Sequence, residues 1–347
     1  ELFDVGQKAQ FASSLTNPGT RFVNNVTYVF VGVIASSLAA LGRLSIGDIS
    51  AFLSFSLQFA KPLNEITAVL TQVQQGAAAA ERIFALLDER AENPEKDIAN
   101  LDLQEGSVRW DKVRFAYDPA KPLIEELSLY VQAGQTAAVV GPTGAGKTTL
   151  VNLLMRFYDA QAGAIYMDEQ NIYTVKRESV RDAYGMVLQD TWLFGGTVYD
   201  NIAYGREGAS AAEVEAAARA AHAHNFILQL PQGYQTKLQD AGDRLSAGQK
   251  QLLTIARVML SQPRLLILDE ATSNIDTRTE QLVQKSFLSL MEGRTSFIIA
   301  HRLSTIRSAD LILVMDKGSI IEMGTHDELL AAKGFYADLY DSQFAPT

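Results

Sequence analysis

The chain has 347 residues, a formal net charge of −10 at pH 7 and no cysteine. This length predicts two or three domains. The acidic balance argues against nucleic acid as the main partner, and the absence of thiols excludes disulfide, thiolate and zinc-thiolate chemistry.

The first predicted element is a membrane helix over about residues 22–44. Val26 to Leu44 is mostly apolar and carries one arginine near its end. At roughly 1.5 Å per residue, that length crosses a hydrocarbon core of about 30 Å. A buried core helix of a globular domain has the same hydropathy, so this alternative stays open.

A second helix is predicted over about residues 46–75. Its apolar part, Ile49 to Ala60, is too short to span a bilayer, and the helix continues only if Pro62 kinks it. Polar residues recur on one face at a spacing of three and four: Ser54, Gln58, Lys61, Glu65 and Gln72. Such a face lines a water-filled path in a bundle. Beyond Lys61 it equally fits a helix that projects into the cytosol.

Residues 88–105 are predicted to link these helices to a second domain. The segment is charged, contains Pro94 and lacks a sustained apolar period, as expected of a connection between domains. The predicted boundaries are therefore 1–87 for the membrane part, 88–105 for the linker and 106–341 for the second domain.

A complete phosphate-binding pattern occupies Gly141 to Thr148, GPTGAGKT. The apolar run Thr136 to Val140 predicts a strand before it, and the residues after it have a helical apolar pattern. A strand, a glycine-rich turn and a helix start aim backbone N–H groups and the positive helix end at one point. Lys147 adds a cation for the terminal phosphates, and the Thr148 hydroxyl can hold Mg²⁺. We assign nucleotide binding to Gly141, Thr143, Gly144, Ala145, Gly146, Lys147, Thr148 and Thr149.

Two capped helices and a buried strand are predicted further along. Residues 209–223 are alanine-rich, with Ser210 as N-cap and Glu213 three residues on, and Ser246 is a suitable N-cap for an apolar helical pattern. Leu265 to Leu268 predicts a buried parallel strand that ends in two carboxylates. Asp269 suits a metal contact, and Glu270 suits positioning or deprotonating an attacking water.

Taken in order, these motifs resemble the ATP-binding cassette of an ABC transporter. Leu245-Ser246-Ala247-Gly248-Gln249 resembles the signature motif Leu-Ser-Gly-Gly-Gln and departs from it at Ala247. Ser273-Asn274-Ile275-Asp276 resembles the D-loop, usually Ser-Ala-Leu-Asp. Thr236 to Asp243 lies where exporters carry Thr-x-Val-Gly-Glu-x-Gly, with Gln239 and Asp240 at two fixed positions.

The resemblance implies a set of site residues. Tyr117 would stack on adenine through its ring, so that its hydroxyl would matter little. Gln189 would contact metal and water, and His301 the γ-phosphate. The expected catalytic residues are Glu270, His301 and Gln189, and the expected metal ligands are Thr148, Gln189 and Asp269. The residues expected to face a partner's nucleotide are Ser246, Ala247, Gly248, Gln249 and Asp276.

The resemblance extends to the N-terminal part. Residues 1–90 resemble the last third of an exporter membrane domain, and Leu44 to Asp48, Lys61-Pro62-Leu63 and Ala79 to Phe84 carry that match. The implied fold is an α/β P-loop NTPase, an ABC cassette with antiparallel β and α-helical subdomains, preceded by all-α transmembrane helices. Exporters carry further membrane helices upstream and this chain begins at Glu1, so we expect a C-terminal fragment or a processed chain.

The resemblance implies an ATP-hydrolysing half of an exporter that uses ATP and Mg²⁺. It would be integral to a bacterial plasma membrane, in contact with membrane lipid, with its cassette in the cytoplasm. Its partner would be a second half-transporter. Ala247 and the atypical D-loop favour a heterodimer, although a homodimer is possible because a methyl group is small.

A regulatory half with little hydrolysis is the alternative, and Glu270 argues against it. Residues 1–90 and the acidic balance argue against a soluble ABC ATPase. The sequence does not identify the transported substrate.

Overall fold

The structure is a computed structural model, and it describes residues 2–89, 91, 92, 95, 98–188, 191–238, 245–269, 276–300 and 303–343. The chain forms two compact units, residues 1–94 and 95–347. They are described separately below.

In its described residues, the first unit consists of two long helices that contact each other, α1 (Leu2–Ala40) and α2 (Ile46–Leu87). Ser45 begins α2 as its N-cap: the Ser45 hydroxyl accepts the Asp48 N–H at 3.2 Å, and the Asp48 carboxylate accepts the Ser45 N–H at 2.9 Å. This reciprocal pair satisfies two N–H groups that the helix itself leaves unbonded.

Both helices differ from their predicted bounds. α1 begins at Leu2 rather than near residue 22 and ends at Ala40 rather than near residue 44. α2 reaches Leu87 rather than about residue 75, with Pro62 inside it. The extra residues of α2 include a run of four alanines, the residue with the highest helix propensity. Among the described residues, one stretch, Arg21–Ala40, is long and apolar enough to cross a membrane, with a mean hydropathy of 1.5. The apolar stretch Ile46–Phe59 of α2 is shorter.

The second unit is a mixed α/β structure. Its strands are β1 (Val108–Phe115), β2 (Ile124–Val131), β3 (Thr136–Val140), β4 (Ala162–Met167), β5 (Gln170–Asn171), β6 (Tyr184–Val187), β7 (Gly196–Thr197), β8 (Lys237–Leu238), β9 (Leu265–Asp269), β10 (Thr295–Ile299), β11 (Leu311–Asp316) and β12 (Ser319–Gly324). Its helices are α3 (Lys147–Leu154), α4 (Arg177–Asp182), α5 (Val198–Ala203), α6 (Ala211–Ala220), α7 (His224–Gln229), α8 (Ala247–Ser261), α9 (Thr277–Met291), α10 (Leu303–Ser308), α11 (His326–Ala332) and α12 (Phe335–Gln343), with a 3₁₀ turn at Gly233–Gln235.

Six of these strands form the central sheet in the order β12-β11-β3-β10-β9-β6, in which every neighbouring pair except β11–β12 is parallel. A second sheet, β2-β1-β4-β5, is antiparallel. The prediction of a mostly parallel sheet with an antiparallel β part is therefore confirmed. The predicted strands before the phosphate loop and before Glu270 are also present.

The core lies on both faces of the central sheet, because successive side chains of a strand point to opposite faces. Ala138, Leu268 and Ile298 pack with the helical part, including residues of α6 and α8. Val139, Ile267 and Phe297 pack instead with the antiparallel sheet and α3. Burial on both faces explains why these strands have continuous apolar sequences rather than alternating ones.

The predicted helix caps are confirmed in the helical part. Ser210 caps α6 together with Glu213, and Ser246 caps α8 together with Gln249; in each pair the side chain and backbone bond reciprocally. In the second pair, the Ser246 hydroxyl accepts the Gln249 N–H at 3.3 Å and the Gln249 side chain accepts the Ser246 N–H at 3.0 Å.

The second half of the predicted linker belongs to the second unit and is hydrogen-bonded within it. We call residues 98–107 the strap. The Asp168 carboxylate accepts the backbone N–H groups of residues 104–107, and the Leu101 N–H donates to the Ser179 hydroxyl at 2.8 Å. Leu101 and Leu103 also pack against the core beneath the antiparallel sheet, but two leucines are too few to form a sustained apolar period. Sequence periodicity therefore gives no sign that it is ordered.

Candidate functional site

The site forms where the parallel strands of the central sheet end. The register aligns Val139 of β3 with Ile299 of β10, and Ile299 with Asp269 of β9. The carboxyl ends of these strands therefore lie side by side, which is where open α/β sheets bind ligands. Three predicted site residues lie outside the described residues. They are Gln189 after β6, Glu270 after β9 and His301 after β10. Of the other motif positions, residues 239–244 and 273–275 also lie outside them.

The phosphate loop, residues 141–148, joins β3 to α3. Gly141 has φ +149°, and a Cβ at this position would lie 2.2 Å from the carbonyl oxygen of Met315 on β11. Gly146 is the N-cap of α3 with φ +102°. Both positions need glycine, one for close backbone approach and the other for its left-handed conformation. The loop consequently presents the start of α3, where N–H groups have no partner within the helix.

Lys147 lies in the first turn of α3, and its ammonium group folds back over the loop. Nζ donates to the carbonyl oxygens of Gly141 at 2.7 Å and Pro142 at 3.0 Å. Burial lowers the pKa of Lys147, and the nearby Asp269 carboxylate partly opposes that shift. A half-buried cation of this kind gains from an anionic neighbour. The arrangement is suited to the β- and γ-phosphates of a nucleotide.

Oxygen donors for Mg²⁺ are present beside this lysine. Thr148 is exposed in the first turn of α3, and Asp269 ends β9 close enough to influence Lys147. A hydroxyl and a carboxylate are hard oxygen donors of the kind that Mg²⁺ prefers. The donor set therefore fits the ion that the sequence predicts.

The C-terminal helix α12 contributes to the site, and it was not identified from the sequence. A cavity of about 140 Å³ lies between the phosphate loop and this helix, lined among others by Thr143 and Lys147 on one side and by Tyr336, Leu339 and Tyr340 on the other. The Tyr336 hydroxyl is hydrogen-bonded to Nδ1 of His326 at 2.7 Å. The spacing of the tyrosines and Leu339 is helical, so an amphipathic helix could have been predicted here.

Tyr117 lies in the turn after β1 and is half exposed, with 51% of its surface accessible. Its hydroxyl donates to the Thr149 hydroxyl at 3.3 Å and accepts from the Asn152 amide at 3.0 Å. Tyr117, the residue expected to stack on the base, is thus hydrogen-bonded to α3, the helix that follows the phosphate loop. Thr149 is buried, and its hydroxyl accepts from Tyr117.

The signature residues and Asp276 have structural roles in this chain as helix caps. Ser246 and Gln249 form the cap of α8 described above; Ala247 is exposed and Gly248 is buried. Asp276 caps α9 by accepting the Thr279 N–H at 2.9 Å, and this bond lowers the pKa of Asp276. None of these residues lines the cavity beside the phosphate loop.

A parallel sheet, a glycine-rich phosphate loop and a lysine at a helix start define a P-loop nucleoside-triphosphate-binding domain. Comparison with known proteins then identifies the family, because residues 124–273 match the ABC transporter family. The matched part is an ABC transporter domain: the chain carries an ATP-binding ABC ATPase domain and is homologous to half-transporter exporters.

Several relatives are similar over nearly the whole chain. A fatty acid ABC transporter ATP-binding/permease protein of Mycobacterium bovis is 51% identical over 338 residues, which is 97% of this chain and 53% of that protein. An ATP-dependent lipid A-core flippase of Acinetobacter baylyi is 42% identical over 98% of the chain and 59% of its own length. A solved bacterial Atm1-family ABC exporter with ATP bound is 39% identical, with a TM-score of 0.71, over 99% of this chain and 60% of that one. The chain therefore spans little more than half the length of the relatives it matches.

Proposed function

We propose that this chain belongs to an exporter half that hydrolyses ATP and couples hydrolysis to movement of a substrate across a membrane. The observation that carries the proposal is that the match to the Atm1-family exporter extends through both units, over 99% of the chain. Arg21–Ala40 supplies an apolar stretch long enough for a bilayer. The proposed location is therefore a bacterial plasma membrane, with the ATPase domain in the cytoplasm.

The proposed chemistry rests on the carboxyl ends of the central strands. Lys147 and the N–H groups of the phosphate loop would hold the phosphates, and Thr148, Asp269 and Gln189 would hold Mg²⁺, which neutralises phosphate charge when bound. Glu270 would orient or deprotonate the attacking water, and His301 would contact the γ-phosphate. Within this set, the position of the Lys147 ammonium group at the start of α3, over the carbonyl groups of the phosphate loop, supports a role in binding an anion.

The proposed partner is a second half-transporter. Ser246, Ala247 and Asp276 would face its nucleotide, and their exposure at the starts of α8 and α9 supports this. Ala247 places a methyl group where close approach to a phosphate favours glycine, which supports a heterodimer over a homodimer.

The proposed substrate class is an amphiphile with an acyl chain. Relatives named for fatty acid and lipid A-core transport support it. A fold by itself hosts many substrates, so this part of the proposal depends on sequence similarity to these relatives.

The test is reconstitution of the complete natural protein, alone and with its genomic neighbour, in lipid vesicles. We expect Mg²⁺-dependent phosphate release, stimulation by a long-chain fatty acid, and ATP-dependent movement of a fluorescent fatty acid. The Glu270→Gln variant is expected to lose about 10²-fold of turnover while still binding ATP. Phosphate release without fatty acid movement would refute the acyl-chain substrate. ATP binding without phosphate release in either assembly would favour a regulatory half instead.

A further inference from the structure

Tyr117, the residue expected to stack on adenine, is hydrogen-bonded to α3, the helix that begins at the phosphate loop. We propose that Asn152 on α3 and Tyr158, just beyond α3, are positioning residues that hold the Tyr117 ring ready to stack on adenine. This inference rests on the proposed ATP site and adds residues that the motifs do not identify. It makes recognition of the base depend on α3 as well as on the turn that carries Tyr117.

The first contact fixes the hydroxyl end of Tyr117. Thr149 and Asn152 are three residues apart and thus lie on the same face of α3. The Tyr117 hydroxyl bonds to both, as donor to Thr149 and as acceptor from Asn152. Because Thr149 is buried, it offers a fixed point rather than a mobile surface group. The hydroxyl is thereby used to place the ring.

The second contact fixes the ring itself. The centroid of Phe115 lies 4.9 Å from that of Tyr117 with an angle of 86° between the ring planes, and the centroid of Tyr158 lies 5.0 Å away at 88°. Phe115 and Tyr158 also touch each other, at 5.5 Å. Edge-to-face pairs at these distances are favourable. Phe115 is buried, so it anchors the three rings to β1, while Tyr158 remains 46% exposed.

These contacts order the Tyr117 side chain before nucleotide binds, so binding loses less side-chain conformational entropy. A ring held by two hydrogen bonds and two aromatic edges has little rotamer freedom left to lose, and preorganisation of this kind raises affinity. Half of the Tyr117 surface nevertheless stays accessible for a base. The hydroxyl therefore contributes to ATP affinity indirectly, and Tyr117→Phe is not a neutral change, in contrast to the expectation from the motif.

The test compares ATP with inorganic tripolyphosphate, which has the phosphates but no base. Both are titrated calorimetrically into the full chain in detergent, without Mg²⁺ so that no turnover occurs. We expect Tyr117→Phe and Asn152→Ala each to weaken ATP binding about three- to tenfold, the effect of losing one or two net hydrogen bonds. The double variant should lose no more than the stronger single variant, because both remove the same contact. Tripolyphosphate binding should stay unchanged in all of them.

Further variants test the aromatic contact and control for nonspecific effects. Tyr158→Ala should weaken ATP binding by a similar factor and Tyr158→Phe should restore it, because only the ring touches Tyr117. Gln281→Ala, an exposed amide on α9, is the matched control and should bind both ligands like wild type.

Three results would overturn the positioning role: unchanged ATP affinity in both Tyr117→Phe and Asn152→Ala, equal losses for ATP and tripolyphosphate, or additive losses in the double variant. Tyr117→Phe keeps the ring and its volume, so the test does not depend on whether the alanine variants fold. A wild-type chain that binds neither ligand would instead refute the proposed ATP site on which the inference rests.

Discussion

Replacing Asp168 should loosen residues 104–107, the C-terminal part of the strap. The carboxylate accepts the N–H groups of Gln104 at 2.8 Å, Glu105 at 2.7 Å, Gly106 at 2.9 Å and Ser107 at 2.7 Å. Burial raises the pKa of Asp168, but the four backbone bonds together outweigh it, so the pKa lies below the ordinary value. The ionised form is therefore the form that holds the strap.

The size of the effect follows from these contacts. A hydrogen bond to a charged group contributes about 1.5–3 kcal/mol net, and less where water can replace it. The bonds to Gln104 and Glu105 are exposed and those to Gly106 and Ser107 are half-buried. We therefore expect Asp168→Ala to cost about 3 kcal/mol of local stability, roughly a hundredfold in the opening equilibrium.

Hydrogen exchange of the amides of residues 104–107 measures this directly, because it reports local opening. Asp168→Ala should accelerate their exchange about a hundredfold, and Asp168→Asn, which keeps one acceptor oxygen, should fall between it and wild type. Glu169→Ala is the matched control. It is the next residue, shares a positive φ (+61° against +43°), and pairs with Arg109 rather than with the strap. Equal acceleration in the two alanine variants would show that the effect comes from placing alanine at a positive φ, and not from losing the Asp168 carboxylate.

The same bonds predict a pH dependence. Because the folded-state pKa of Asp168 is lowered, its contribution to stability is fully present above the unfolded value of about 3.9 and is lost as the pH falls through the folded-state value. After correction for intrinsic exchange, protection of the amides of residues 104–107 should decrease only when the pH falls below about 3.9. A loss of protection between pH 5 and pH 8 would contradict this assignment.

The remaining predictions concern the nucleotide site. Lys147→Ala should weaken ATP binding by roughly 10- to 150-fold, since it removes charge-assisted bonds to phosphate, and an unchanged calorimetric affinity would contradict the assigned role. Gly141→Ala should abolish binding and lower the melting temperature, because its Cβ would lie 2.2 Å from the Met315 carbonyl oxygen. Gly144→Ala meets no atom within 4 Å and adds only the strain of an alanine at φ +83°, so its effect should be smaller. Ala247→Gly should raise phosphate release by the assembled transporter at the partner's nucleotide, and equal rates would remove the argument for unequal sites.

The nucleotide site was predictable because its chemistry is local in sequence. A phosphate loop needs glycines where the backbone turns or approaches closely, and the lysine and threonine follow at fixed offsets, so residues 141–148 identify it without a tertiary structure. The same holds for helix caps such as Ser246 with Gln249, where the bonded groups are three residues apart. The strands before the phosphate loop and before Glu270 were predictable because burial on both faces requires a continuous apolar run.

What only the tertiary structure decided are contacts between residues far apart in the chain. Residues 104–107 of the strap are held by Asp168, more than sixty residues away, through backbone N–H groups that every sequence possesses. The packing of α12 beside the phosphate loop depends on residues nearly two hundred positions further along. The hydrogen bond between Tyr117 and Asn152 likewise joins a turn to a helix that is 35 residues further along the chain, and the periodicity of the sequence does not predict such a contact. The sequence determined the phosphate-loop motif and its strand and helix, because these lie within one short stretch of chain; the fold determined which distant residues pack against them.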